Sequence, residues 1–138
     1  MPWLVKSDPD TFSIDDLAKA KNKTTSWDGV RHYQARNYLR SMKKGERVLF
    51  YHSNADPPGV VGVAEVAREA YPEAKDDEWS AVDLKLVERF GETVSIDALR
   101  GEKLLAGLLI LRKGSRLSVT PIADSEMKRV LELAKGKS

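Results

Sequence analysis

The stretch "ERVLFYHSN" (46–54), followed by "ADPPG" (55–59) and "VVGVAEVARE" (60–69), leaves this chain few ways to fold. Val48, Phe50 and His52 alternate with Leu49, Tyr51 and Ser53, a period of two that suits a strand, because successive strand side chains point to opposite faces. The two prolines and the glycine then turn the chain. The apolar run after them is predicted as a second strand, so the pair forms a hairpin with a broad loop. "WSAVDLKLVERF" (79–90) sets Val82, Leu84 and Leu86 against Asp83 and Lys85 and predicts a third, half-buried strand, reached through the polar loop "AYPEAKDDE".

Around these strands the other elements are shorter. "WLVK" (3–6) is a strand that ends at the Asp8-Pro9 turn, placing Lys6 and Ser7 at its exit. "SIDDLAKAK" carries Ser13 as an N-cap with Asp16 three residues on, a variant of the capping box. "NKTTS" (22–26) reads as a polar loop. Ala35, Tyr38, Leu39 and Met42 then recur at helical intervals and give a second helix with one apolar seam, ending at Gly45. "SIDALRG" predicts a brief capped helix, "LLILRKG" fits helix or strand, and "RLSVTPI" alternates as a strand. "DSEMKRVLELA" is a C-terminal helix with Asp124 as its candidate cap and Met127, Val130, Leu131 and Ala134 as its seam. Strands and helices mix without regular βαβ alternation, so the expected class is α+β around a mainly antiparallel, barrel-like sheet.

At 138 residues one domain spanning 1–138 is expected, with flexible last residues, and the absence of cysteine removes disulfides and thiolate metal sites. No apolar run approaches the ~18 residues of a membrane span, and "MPWLVKSDPD" reaches acids too early for a signal peptide. Together these predict a cytoplasmic protein without a membrane partner. The 23 basic and 21 acidic residues leave a net charge of +2, too mild for non-specific coating of DNA, so any nucleic-acid contact must be local.

The chain has no phosphate-loop, dinucleotide or serine-hydrolase motif, and His32 and His52 lack metal-ligand spacing. His52 has hydroxyls beside it but no nucleophile–base–orienter set, so no catalytic residue, cofactor or metal is expected. Of the three tryptophans, Trp3 opens an apolar strand and reads as core. Trp79 either walls a pocket or caps the sheet edge. Trp27 differs: in "SWDGVRHYQARNYL" (26–39) it stands beside Asp28 and Gly29, just ahead of Arg31 and Arg36, neighbours that burial alone does not require. Arg36, Arg40, Lys43 and Lys44 make a basic stripe opposite the apolar seam, and Arg112, Lys113 and Arg116 form a second cluster. Stacking aromatics with two basic clusters resemble a single-strand or base-binding surface.

"WLVKSDPDTFSIDDL", "SWDGVRHYQARNYL", "GERVLFYHSN", "PGVVGVAEV", "AYPE" and "LILRKGSRLSVTPI" resemble, in order and over nearly the whole chain, the successive motifs of the EVE domain family. The resemblance implies a PUA-like pseudobarrel with flanking helices, related in fold to YTH domains that cage a methylated adenine. It also implies recognition of a modified base in DNA or RNA, single-stranded or flipped. Eukaryotic members carry a long basic N-terminal tail; its absence here suggests a stand-alone bacterial or archaeal protein. Carried onto this chain, the implied base pocket joins Lys6 and Ser7 of the "KS" corner, Trp27 and Asp28, Tyr51, His52 and Ser53 of the "FYHS" strand end, and Trp79. Phosphates fall to Arg31, Arg36, Arg112 and Lys113. Because strand neighbours point to opposite faces, Tyr51 and Ser53 share a wall with His52 only if the strand end twists or bulges, so at least one of the three is structural. A pocket for a free nucleobase or nucleotide, or a protein-interaction module presenting the PPG loop, are the alternative functions.

Overall fold

Both phases of the alternation in residues 48–51 are buried, which makes this strand the middle of a sandwich. Val48 and Phe50 enter one core and Leu49 and Tyr51 another, on the opposite side of the sheet. The computed structural model describes residues 1–74, 76–112 and 117–136, and the expectations about Lys113, Arg116 and the last two residues lie outside them.

The elements run β1 (Trp3–Ser7), α1 (Ile14–Lys19), β2 (Thr24–Trp27), α2 (Tyr33–Ser41), β3 (Arg47–His52), β4 (Gly59–Pro72), β5 (Ser80–Ser95), α3 (Ile96–Arg100), β6 (Val119–Pro121) and α4 (Asp124–Ala134). Among the described residues they form one six-stranded sheet in the order β2-β5-β4-β3-β1-β6. Only β1 and β3 are parallel; every other neighbouring pair is antiparallel. The expected α+β class is therefore present, with a sheet that stays open: β2 and β6 are its two edges.

The first core collects Trp3, Val5, Leu17, Leu39, Met42, Phe50 and Leu84 beneath α1 and α2. Across the sheet, Leu4, Leu49, Val60, Leu99, Leu105 and Val130 pack beneath α3 and α4. Each helix starts for a local reason. Ser13 Oγ accepts from the Asp16 amide at 3.1 Å while Asp16 accepts from the Ser13 amide at 2.9 Å, the reciprocal cap read from the sequence. Ser95 caps α3 by accepting from the Ala98 amide at 3.1 Å. Asp124 does not cap α4; Ala123 occupies that position and Glu126 reaches back to its amide at 2.7 Å.

The "NKTTS" segment departs from expectation, since Thr24–Trp27 is a strand paired to β5 from Thr24↔Lys85 through Trp27↔Val82. The ambiguous "LLILRKG" contains a short 3-10 turn at Leu109–Leu111. Between β3 and β4 the register shifts after Phe50, so that Phe50 faces Gly62 while Tyr51 faces Val60. Gly62 accommodates this crowding because a Cβ there would collide with Ile14 Cδ1 and the Glu88 carbonyl.

Phe50 is fully buried and touches Phe12, Trp27 and His52 through ring pairs at 6.5, 5.5 and 5.7 Å. Phe50→Ala is expected to cost about 3–5 kcal/mol, seen as a lower urea midpoint at unchanged slope. A loss below about 1 kcal/mol would show that the site collapses around the vacancy and that the aromatic centre is dispensable.

Candidate functional site

After β1 the chain makes a tight turn in which the Thr11 and Phe12 amides both donate to the Asp8 carbonyl at 2.9 Å, and Ser7 Oγ donates to the Phe12 carbonyl at 2.6 Å. Asn54, just beyond β3, donates to Asp8 Oδ2 at 3.0 Å and ties that turn to the neighbouring strand end. The turn delivers Phe12 to Trp27, the last residue of edge strand β2. The indole meets Phe50 at 5.5 Å and 85° and Phe12 at 6.4 Å and 87°, both edge-to-face arrangements. Beside it opens a cleft of about 300 Å³ lined by Ser7, Thr11, Phe12, Thr25, Ser26, Trp27 and Asp28. Three residues read from the sequence thus meet here, Ser7, Trp27 and Asp28. Sequence reasoning misses Thr11, Phe12, Thr25 and Ser26. The one signal for them is an aromatic, Phe12, set in an otherwise polar turn.

A second cleft of about 370 Å³ lies beside the first, sharing Ser26 and Asp28 with it and adding Arg31, Tyr71 and Glu73. Its wall is a network. Ser26 and Tyr71 share a hydroxyl hydrogen bond at 2.7 Å, and Tyr71 donates to Asp83 at 2.6 Å. Arg31 grips Glu73 with two parallel hydrogen bonds at 2.9 and 2.8 Å, and the Gly29 amide donates to the same carboxylate at 3.1 Å. Those arginine contacts hold the Glu73 carboxyl below the usual carboxylate range. Behind this wall Trp79 stacks on Tyr33 at 5.1 Å and 22°, with the Arg31 guanidinium 5.2 Å from its ring centre. Arg36 and Arg40 both donate to the Glu78 carbonyl, at 3.1 and 2.9 Å. The first half of the basic stripe therefore fastens α2 to the β4–β5 turn, and it is not an open ladder for phosphates. Of the predicted phosphate ligands, Arg31 and Arg36 are already engaged. Arg112 is exposed and makes no side-chain hydrogen bond or ion pair among the described residues.

The single pocket expected from Lys6–Ser7, Trp27–Arg31 and Tyr51–Ser53 is not what the strands build. Tyr51 is 3% exposed and belongs to the core on the far face, where burial raises its phenol's pKa. Lys6, its partner across β1 and β3, falls by alternation on that same far side. The Ser53 amide and hydroxyl both donate to the Ser7 carbonyl, at 2.9 and 3.3 Å, and prolong the strand pairing behind the cleft. His52 does face the first core, but it lines a separate groove of about 600 Å³ with Asp15, Arg89 and Thr93. Its Nε2 accepts from the Ile14 amide at 3.0 Å, so it completes the start of α1. Trp79 stands with the second cleft, beside Arg31. His32 is the N-cap of α2, its Nδ1 accepting from the Gln34 amide at 3.2 Å. Trp3 is core, as read, with its indole donating to Glu46 at 2.9 Å.

A family model described as EVE domain matches residues 2–133. Human thymocyte nuclear protein 1 is 37% identical over 163 residues, covering 95% of this chain and 72% of its own. The chicken protein of the same name is 33% identical over 168 residues, covering 98% of this chain and 69% of its own. Among solved structures, a protein from Pseudomonas syringae superposes with a TM-score of 0.90 at 36% identity, covering 97% of this chain and 99% of the other. The human protein in complex with DNA containing 5-methylcytosine superposes with a TM-score of 0.90 at 33% identity, covering 99% of each chain. These names correct the expected cytoplasmic location: the human and chicken homologues are named as nuclear proteins.

Burial pushes the His52 imidazole below its ordinary value of 6.5, with Asp15 opposing the shift. The unfolded chain then binds the proton more readily, so stability falls as pH drops below 6.5 toward the depressed folded value. His52→Gln keeps an acceptor for the Ile14 amide and does not titrate. The variant is expected to lose less stability than the parent between about pH 7 and pH 5 in urea titrations, a window above that of the carboxylates. Parallel losses in the two proteins would remove His52 as the source.

Proposed function

The chain belongs to the EVE domain family, and from that premise we propose that it is a binding module for a modified base in nucleic acid, held single-stranded or flipped out of a duplex. The observation that carries this reading is the cleft of about 300 Å³ walled by Trp27. That volume is at the small end for ligand pockets and suits one planar ring. A base inside a duplex is stacked on both faces, so it must leave the stack to lie against the indole. Trp27 supplies a stacking surface worth about 1–3 kcal/mol. DNA is the favoured polymer because the human relative, alike over the whole chain, is found with DNA containing 5-methylcytosine.

The polar wall adds a preference among bases. Ser7 Oγ spends its proton on the Phe12 carbonyl, so toward a ligand it is an acceptor. Asp28, when ionised, is acceptor-only as well. Two acceptors suit a base that presents an exocyclic amino group, as cytosine does. Phe12 and Thr11 offer apolar contact to a methyl mark, and one buried carbon is worth about 0.8 kcal/mol, roughly fourfold in affinity. Discrimination by the methyl alone is accordingly modest. The oligonucleotide is expected back unchanged; turnover that vanishes in His52→Ala would contradict a pure binding role.

Titration of a single-stranded oligonucleotide bearing one 5-methylcytosine, its unmodified twin and free 5-methyldeoxycytidine tests the reading. Trp27→Ala is expected to abolish the preference for the marked strand while leaving the salt dependence of binding nearly unchanged. Arg112→Ala should keep the preference and flatten the dependence of log K on log salt by about 0.7, the share of one phosphate on a single strand. Because Trp27 also packs on Phe50, melting temperatures are measured on the same samples. A folded Trp27→Ala protein that still prefers the mark would defeat the assignment, and tight binding of the free nucleoside alone would favour a small-molecule pocket.

A further inference from the structure

Trp27 is the end of β2, and the strand ladder holding it to β5 stops there. The next segment, Asp28 to Arg31, must be held by something else if it is to wall a cleft. The Asp28 side chain makes no hydrogen bond among the described residues, and its neighbour Gly29 has a φ of +76°, a conformation that glycine adopts readily. Both ends of this segment converge on one carboxylate. Glu73, immediately after β4, accepts from the Gly29 amide at 3.1 Å and from two nitrogens of Arg31 at 2.9 and 2.8 Å. Arg31 Nη1 also donates to the Val30 carbonyl at 3.1 Å, folding the guanidinium back on its own loop. Glu73 itself is anchored by its amide to the Trp79 carbonyl at 3.0 Å, and its side chain is only 14% exposed.

From this geometry we propose that Arg31 and Glu73 are positioning residues that hold the Trp27–Asp28 wall, so that Arg31 governs base selectivity and takes no phosphate. The inference rests on the base-binding reading above. For Arg31 to meet a phosphate it would have to abandon a bidentate partner and leave the Glu73 carboxylate with the Gly29 amide alone, beside the like charges of Asp28 and Asp76, which line the same cleft. The same departure would free the Arg31 end of the segment and leave only the Gly29 amide holding it to Glu73. Phosphate contact is better served by an exposed cation such as Arg112.

The two roles predict opposite results for one substitution. With the single-stranded 5-methylcytosine oligonucleotide and its unmodified twin as probes, Arg31→Ala is expected to reduce the preference for the mark toward unity and to leave the salt slope unchanged. A phosphate ligand would instead lose about 0.7 of the slope and keep the preference. Glu73→Ala should copy the loss of preference and, by freeing Arg31, steepen the slope by a similar amount. The double variant should discriminate no worse than either single one, because both act through one contact. Arg31→Lys and Glu73→Gln carry the comparison if an alanine variant melts near the assay temperature. Arg31→Lys keeps the charge and loses the fork, so a positioning role predicts lost preference and a phosphate role predicts none. A parent protein without preference would overturn the base-pocket reading and this inference together. A discriminating parent whose Arg31 and Glu73 variants discriminate equally well would overturn this inference alone.

Discussion

Phe50 is where the requirements of this fold meet. It lies on β3, with β1 on one side and β4 on the other, and is fully withdrawn from water. Phe12, Trp27 and His52 all come to rest against its ring. Phe12 brings the turn after β1, Trp27 brings the end of edge strand β2, and His52 carries the start of α1 through its bond to the Ile14 amide. A ring this large, buried without polar atoms to satisfy, tolerates many partners, and close packing around it fixes their relative positions. The Trp27 cleft is a by-product of that packing: it opens beside the Phe12–Trp27 contact, between the turn after β1 and β2.

The two faces of the sheet divide the work. The far face, covered by α3 and α4, buries a second apolar core, with an ion pair from Arg129 of α4 to Glu102. The near face carries α1 and α2 and also the clefts, and its polar groups are paired in networks: Ser26 with Tyr71 and Asp83, Gly29 and Arg31 with Glu73, Arg36 and Arg40 with the Glu78 carbonyl. No buried side-chain nitrogen or oxygen among the described residues lacks a partner. A chain with many charges can thus hold a polar rim rigid, because these charges are spent on named neighbours.

Those pairings explain why the candidate site is only partly legible in the sequence. Trp27 and Asp28 stand out because an aromatic beside an acid and a glycine is more than core packing requires, and Ser7 enters only through the resemblance to the family's "KS" corner. Tyr51 and His52 were equally visible, but being adjacent on a strand they part to opposite faces, and the shift after Phe50 did not bring them together. Arg31 and Arg36 announce positive charge, while the acceptors that engage them come from the β4–β5 turn, 42 residues away in each case. β2 went unread because an edge strand with polar residues has no apolar period; its order comes from β5.

Local sequence by itself determined the elements with a strong period or cap: the alternation of β3, the seams of α2 and α4, the reciprocal Ser13–Asp16 cap, and through them the α+β class. These follow from interactions within a few residues, where spacing dictates geometry. Tertiary structure alone decided that β1 runs parallel to β3, that the sheet remains open at β2 and β6, which face each side chain joins, and that Arg36 and Arg40 of the basic stripe are spent on the protein itself. Each depends on the pairing of segments distant in the chain. A residue's charge or ring is written in the sequence, but the partner that uses it is selected only when the sheet registers and the cores close.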